Sequence, residues 1–127
     1  MPPWLAVALG GAIGSATRHG VNHLVQQESR FARFPWPTLV VNVSGCLVMG
    51  LLAGLVASGR LPMRAGWREF LFVGILGGFT TFSAFGLDTV TLLRAGAPGQ
   101  AALNIAANVV VGVGAVYAGL LLGELAG

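Results

Sequence analysis

The stretch FPWPTLVVNVSGCLVMGLLAGLVASG, residues 34–59, decides the fold because it carries no charged side chain. A helix of about 20 such residues crosses the ~30 Å hydrocarbon core of a bilayer. Further uncharged runs cover 1–17, 70–87 and 95–123. All four runs are continuously apolar and lack the alternation that barrel strands show. We therefore predict an all-α integral membrane protein, a single membrane domain over 1–127, with four transmembrane helices at roughly 3–26, 37–58, 67–93 and 99–125.

The composition excludes the common soluble classes. Of the 127 residues, 55% are hydrophobic and 9% are charged, and the mean hydropathy is +0.81. A soluble domain carries about 25% charged residues, and a disordered chain is poor in apolar ones. The sequence shows no phosphate loop, no Ser-His-Asp grouping and no paired carboxylates, so we do not expect an enzyme. The first run also lacks the basic segment and cleavage site of a signal peptide, which favours a multi-pass protein of a bacterial inner membrane.

The charge distribution concerns orientation in the membrane. The net charge is +3, and all seven basic residues are arginine. They are spread along the chain, whereas nucleic-acid binding needs a basic cluster. Setting aside Arg18 inside the first helix, the loop arginines on one predicted side are Arg30, Arg33 and Arg94, and those on the other are Arg60, Arg64 and Arg68. This balance gives no preferred orientation. It suits a chain that inserts both ways and pairs as an antiparallel dimer, although chance also produces it with so few charges.

Small residues recur at four-residue spacing in every predicted helix. The pairs and the triplet are Gly10 and Gly14, Gly50 and Gly54, Gly74 and Gly78, and Ala115, Gly119 and Gly123. Such faces let membrane helices approach closely. Helices packed this tightly leave little room for a wide pore in one subunit, which favours an oligomer. Glycine is also simply common in membrane helices, and this accounts for some of the pairs.

Polar residues inside the first helix are candidates for function because they are costly in lipid. Arg18 either snorkels towards the interface and pairs there, or attracts anions into a vestibule. His19 and His23 stand one turn apart, a spacing that can bind a metal, but no third ligand is apparent. Cys46, in another helix, is best interpreted as a small apolar residue. We therefore do not expect a zinc site.

Asparagines mark the second and fourth helices. Asn42 precedes Ser44 in an apolar run, and Asn104, Asn108 and Gly112 repeat every four residues on one helix face. An amide in hydrocarbon must form hydrogen bonds with another helix, water or a ligand. Each asparagine taken alone is best explained as interhelical contact, and together they indicate a polar track through the membrane.

The third helix holds the most specific segment, GGFTTFSAF at residues 77–85. Two glycines and three hydroxyl residues predict a helix broken in mid-membrane. Freed carbonyls are tolerated there only when protein buries them or an ion binds them, and a hard cation such as sodium suits them. Phe82 and Phe85 lie on nearby faces, and the positive edges of their rings can favour an anion. Taken alone, two such phenylalanines are more often core packing.

Three segments together resemble the Fluc (CrcB) family of fluoride channels. They are GGAIGSATR at 10–18, TLVVNVSG at 38–45 and GGFTTFSAF at 77–85. The resemblance covers nearly the whole chain. It implies a fluoride-selective channel that mediates passive export and lowers cytoplasmic fluoride. It also implies an antiparallel, dual-topology homodimer in membrane lipid, with two fluoride pores.

The resemblance also assigns roles to individual residues. Phe82 and Phe85 would face the ion with their ring edges, and Asn42 would donate its amide hydrogens to fluoride. The weaker hydroxyl donors would be Thr81 and Ser83. Arg18 would draw anions into the vestibule, and Asp88 stands where the family is usually acidic.

A structural sodium ion at the dimer centre is part of the same resemblance. The backbone carbonyls of Gly77 and Thr80 from both subunits would hold it.

Two departures from the family pattern concern other residues. His19 replaces a usual aromatic residue, and Asn108 and Gly112 stand where members tend to offer hydroxyl groups. Asn108 can still donate a hydrogen bond to an ion.

Two other functions compete with the channel. A small four-helix multidrug exporter needs a carboxylate inside the membrane, typically in the first helix, and Glu69, Asp88 and Glu124 lie near predicted helix ends. A purely structural subunit of a larger complex leaves the broken third helix unexplained. The channel is therefore the favoured hypothesis.

Overall fold

The computed structural model describes residues 1–126, which form four long helices joined by short loops. We number them α1 (Pro3–Glu28), α2 (Trp36–Ala57), α3 (Ala65–Arg94) and α4 (Pro98–Leu125). The first turns of α1, α2 and α4 contain a proline, where its missing N–H has no helical partner to lose. Gly59 and Gly96 follow α2 and α3 with φ of +77°, a backbone conformation that ends helices and favours glycine. The prediction of an all-helical chain is confirmed.

Three of these helices can span a membrane by length and composition. They are α2, α3 and α4. Helix α1 is long enough, with 26 residues, but Arg18, His19 and His23 reduce the apolar character of its second half. The membrane crossing of α1 therefore stays a prediction.

Glycines determine how closely the helices pack. Two pairs of helices are in tight contact: α2 with α4, and α1 with residues 65–79 of α3. A Cβ added at Gly50 would lie 2.8 Å from the Val116 carbonyl carbon, and one at Gly123 would lie 2.9 Å from the Gly54 carbonyl carbon. A Cβ at Gly74 would likewise lie 2.9 Å from the Cα of Gly10. Backbone fills these spaces, so the predicted packing of the small-residue faces is confirmed.

Helix α3 is irregular. It is π-helical over Glu69–Leu76, a wide turn that often occurs near functional sites. Thr80 and Thr81 then adopt extended backbone angles, so the predicted break is confirmed. We call 65–79 and Phe82–Arg94 the first and second halves of α3. The Thr81 hydroxyl caps the second half by accepting a hydrogen bond from the Ala84 N–H at 3.2 Å.

The buried interior is small and partly polar. Val41 and Asn104 are the largest side chains with essentially no exposed surface. Buried polar groups must form hydrogen bonds because an unpaired amide in an apolar interior is costly. The partners of Asn104 therefore lead to the candidate site.

Candidate functional site

Asn42 on α2 binds the break in α3 through both ends of its amide. Its Oδ1 accepts the Thr81 backbone N–H at 2.8 Å, and its Nδ2 donates to the Thr81 carbonyl at 3.1 Å. In a continuous helix the Thr81 N–H would donate to the Gly77 carbonyl. Asn42 therefore stabilises the break by accepting the Thr81 N–H, which the interruption leaves without its helical partner, and by donating to the Thr81 carbonyl at the start of the second half of α3.

The asparagines of α4 continue this contact. The Asn42 Nδ2 also donates to the Asn108 Oδ1 at 3.0 Å. The Asn108 Nδ2 donates to the Asn104 carbonyl at 2.9 Å and to the Asn104 Oδ1 at 3.0 Å. All three predicted asparagines therefore meet in one hydrogen-bonded group. Gly112, the next position on the same face of α4, is buried, and Cys46 of α2 lies next to it.

Thr89 connects this group to the second half of α3. Its hydroxyl accepts from the Asn104 Nδ2 at 3.0 Å and donates to the Phe85 carbonyl at 2.8 Å. Sequence reasoning missed Thr89, although a hydroxyl one turn after Phe85 was the signal available. We call the five residues Asn42, Asn108, Asn104, Thr89 and Phe85 the amide seam.

The two phenylalanines differ sharply in burial. Phe85 is 9% exposed and Phe82 is 81% exposed. Their ring centroids are 5.4 Å apart, with planes inclined by 63° in an edge-to-face arrangement. The Phe82 ring thus presents most of its surface outside the protomer, next to the break. A large apolar ring in such a place is suited to contact with lipid or another protein surface.

Arg18 reaches the break instead of only extending towards the helix end. Its Nη1 donates to the Thr80 carbonyl at 3.4 Å, beyond the usual range for such a bond. An open cavity of about 580 Å³ adjoins it, and its polar lining consists of Ser15, Arg18, His19, Asn22, Thr81 and Ser83. The cavity contains no carboxylate among its lining residues. Arginine and hydroxyl groups around water-accessible space form an environment that attracts anions.

A second cavity of about 300 Å³ lies nearer the loop between α1 and α2. Asn22 lines both cavities, and its Oδ1 is buried without a partner among residues 1–126. Thr38 donates to the Asp88 Oδ2 at 2.7 Å on the wall of the second cavity, where Arg33 is also found. Sequence reasoning noted Asp88 but missed Thr38, because 50 residues separate the pair.

The remaining candidates concern metals. No cluster of three or more His, Cys, Asp or Glu side chains occurs within the part of the chain that the structure describes. His19 and His23 are exposed, and the His23 ring nitrogen contacts the Gln27 amide at 3.2 Å. Cys46 is a free thiol. The Gly77 and Thr80 carbonyls both lie at the break, and the Thr80 carbonyl is the one that Arg18 contacts.

This arrangement defines a class: a compact multi-pass helical membrane protein in which uncharged polar groups converge on a broken helix. The chain belongs to the CrcB family, because the family model described as CrcB-like protein, Camphor Resistance (CrcB), matches residues 5–120. A relative from Methylobacillus flagellatus is 52% identical over 118 residues, covering 93% of this chain and 91% of its own length. Relatives from Paracoccus denitrificans and Hyphomonas neptunium are 50% and 48% identical, and each alignment covers 94% or more of both chains. All three relatives are named fluoride-specific ion channel FluC.

Proposed function

We propose that this protein is a fluoride-selective ion channel of the bacterial inner membrane that exports fluoride passively and lowers its cytoplasmic concentration. The observation that carries the proposal is the contact of Asn42 with the break in α3. It occurs in a chain that is about half identical to a protein named fluoride-specific ion channel FluC. Amide hydrogens and ring edges are the groups that can replace the water of a small anion. The family is not enzymatic.

The pathway would use several weak sites in series, so that the ion can leave each one. Asn42 supplies amide hydrogens, Asn108 lies beside it on the pathway with its oxygen on the Asn42 amide, and Thr81 and Ser83 supply hydroxyl groups that lie 3.3 Å apart. Phe82 and Phe85 offer ring edges on the same side of the break. A negative-inside potential favours anion exit by ~2.3 kcal/mol per 100 mV, so no coupled energy source is required.

Arg18 and its cavity would form the anion vestibule. The side chain is partly buried and holds its charge close to Thr80. A cation in confined space raises the local anion concentration. The multidrug-exporter alternative is less well supported, because Asp88, the carboxylate in the second half of α3, is bonded to Thr38 and α1 carries no acidic residue before Glu28.

An antiparallel homodimer completes the proposal. A second copy would cover the exposed Phe82 ring with a surface that again carries a break. The balanced loop arginines allow insertion in either orientation. Membrane lipid would cover the remaining apolar faces, and two pores would result from two equivalent chains.

The same dimer would hold the sodium ion. The Thr81 N–H is donated to Asn42, which leaves the Gly77 carbonyl without its helical partner. Neutral carbonyl oxygens are hard ligands of the kind that sodium accepts. Two carbonyls per chain make an incomplete shell, so the Gly77 and Thr80 carbonyls of both chains would be needed. The ion would bridge the two breaks.

Fluoride efflux from liposomes containing the purified protein tests the channel. A potassium ionophore balances charge, and chloride is tested in parallel. Wild type is compared with Phe82→Ile and with a control, Phe31→Ile, which removes a ring that is 91% exposed in the loop after α1. We expect rapid fluoride-selective efflux that persists in the control and is lost in Phe82→Ile. Wild-type dimer that passes no fluoride, or passes chloride equally well, refutes the proposal.

Sodium is tested separately, because backbone carbonyls cannot be removed by substitution. Dimer prepared with N-methylglucamine as the only added cation should lose thermal stability and fluoride efflux, and sodium should restore both.

Impermeant labelling of a single cysteine in the 29–35 loop, in a Cys46→Ala background, tests orientation in cells. Labelling of about half the chains before permeabilisation supports dual topology, and labelling of all or none contradicts it.

A further inference from the structure

The amide of Asn42 has only one orientation that the structure allows. The Thr81 backbone N–H can only donate, so the atom facing it must be the Asn42 oxygen. The Asn42 nitrogen then carries two hydrogens, one on the Thr81 carbonyl and one on the Asn108 Oδ1. The Asn108 oxygen is therefore turned towards Asn42, and its nitrogen is turned away.

The Phe85 end of the amide seam fixes the orientation of the Asn108 amide independently. The Phe85 carbonyl can only accept, and the Thr89 hydroxyl donates its single hydrogen to it. Thr89 must then accept from the Asn104 nitrogen. This leaves the Asn104 oxygen to accept from the Asn108 nitrogen. Both ends agree, so the hydrogen bonds run in one direction from the break to the second half of α3.

The inner members of the seam are buried. Asn104 is 0% exposed and Thr89 is 8% exposed, so neither side chain is open to an ion that passes Asn42. Chains of hydrogen bonds polarise one another in a low-dielectric interior. The burial and the direction of bonding mean that Asn104 acts on Asn42 through Asn108, whereas Thr89 acts on Asn108 through Asn104 and also contacts the Phe85 carbonyl.

A fluoride ion that binds Asn42 must displace one acceptor, since both amide hydrogens are engaged. The Thr81 carbonyl belongs to the backbone at a break that Asn42 itself holds. The Asn108 oxygen belongs to a side chain, so it is the acceptor that can move. Where that oxygen goes depends on the Asn108 nitrogen, which Asn104 holds through two contacts.

We propose that the buried pair Asn104 and Thr89 positions the Asn108 amide, and so sets how readily fluoride replaces the Asn108 oxygen at Asn42. Asn104 keeps the Asn108 nitrogen anchored, which holds the Asn108 oxygen on Asn42, so losing this anchor makes the oxygen easier for fluoride to displace. Thr89 keeps the Asn104 amide in the one orientation that provides this anchor. The proposal rests on the proposed fluoride channel and adds two positioning residues to it.

Two substitutions of Thr89 separate this role from simple packing. Thr89→Val keeps the shape but removes the hydroxyl, and Thr89→Ser keeps the hydroxyl but removes a methyl group. If packing alone matters, valine should be tolerated better than serine. The positioning role predicts the opposite order. The control is Thr91→Val, which removes an exposed hydroxyl from the same half-helix.

Fluoride currents across a range of fluoride concentrations provide the first measurement. We expect Thr89→Val to lower the half-saturating concentration about fivefold, the effect of losing one neutral hydrogen bond that holds the competing oxygen in place. Asn104→Leu should give a similar change, whereas Thr89→Ser and Thr91→Val should match wild type. Size-exclusion chromatography in detergent shows which variants remain assembled. A Thr89→Val channel with the wild-type value, or a serine variant shifted as far as the valine variant, overturns the proposal.

Side-chain amide resonances of Asn108 in labelled protein give a second measurement that does not depend on transport. They should shift in Thr89→Val and stay in place in Thr89→Ser. Wild-type protein that passes no fluoride refutes the channel itself. Asn108 resonances that do not respond to Thr89→Val refute the positioning role.

Discussion

Gly50→Ala perturbs a close backbone contact between α2 and α4. The new Cβ would lie 2.8 Å from the Val116 carbonyl carbon and 3.0 Å from the Leu120 nitrogen, and its closest neighbour would be the Val116 carbonyl oxygen. All three atoms belong to the backbone of α4. No side-chain rotation can relieve the clash, so the helices themselves must separate.

The clash at Gly50 forces α4 to move away from α2. Ordinary contact begins at 3.4 Å, so the Val116 carbonyl carbon must retreat by at least about 0.6 Å, and its oxygen by more. A gap of 0.5–1 Å already forfeits about a quarter to a half of each dispersion contact. Because α2 and α4 touch along most of their length, we expect a loss of about 1–3 kcal/mol of folding stability. Asn42 on α2 and Asn108 on α4 would also move apart, which stretches their 3.0 Å hydrogen bond.

Thermal unfolding of the purified protein in detergent, followed by tryptophan fluorescence, provides the assay. Gly50→Ala should lower the midpoint by about 5 °C or more and should reduce fluoride efflux in liposomes. The matched control is Gly114→Ala on α4, where an added Cβ meets no atom within 4 Å among the described residues. A Gly50→Ala protein with the wild-type midpoint would refute the reasoning, because it would mean that α2 and α4 can separate at no cost.

Three further predictions concern the site and the loops. Thr81→Val removes the cap on the Ala84 N–H and should cost about 1 kcal/mol of stability in thermal unfolding, whereas Thr81→Ser should not; equal midpoints would contradict the capping role. Arg18→Gln should slow fluoride efflux severalfold at low ionic strength and much less at high salt, because the vestibule charge is screened there; an effect independent of salt would indicate a structural role. Two arginines added to the 58–64 loop, as Ser58→Arg and Leu61→Arg, should bias cysteine labelling towards one orientation and reduce efflux; unchanged labelling would exclude charge balance as the determinant of topology.

The helices and the break could be predicted from local sequence. An apolar run long enough to cross lipid has to form a helix, since no water is available for its backbone groups. The segment at 77–85 combines glycines with hydroxyl residues, which weaken a helix and cap the next one. Thr81 performs that second role in the structure. The polar residues of α1 were also visible in the sequence. They explain why α1, unlike the other three helices, is not apolar enough to count as a membrane span by composition.

The contacts of the site could be predicted only in outline. The asparagines stood out as polar residues in apolar helices, and the structure places all three in one group. Thr38 and Thr89 did not stand out, because a threonine in a membrane helix can bond to its own backbone. Their partners, Asp88 and Asn104, come from distant parts of the chain or from the next helix.

The sequence by itself determined the class of protein, the four helices, the position of the break and the residue types that surround it, because each depends on how a short segment meets lipid. Only the tertiary structure decided which glycine meets which backbone, how Phe82 comes to be exposed while Phe85 is buried, and which way each amide of the seam points. These features depend on the rotation and separation of whole helices. A shift of about one ångström breaks a hydrogen bond, and the flip of an amide exchanges its donor for its acceptor. No local pattern in the chain specifies either outcome.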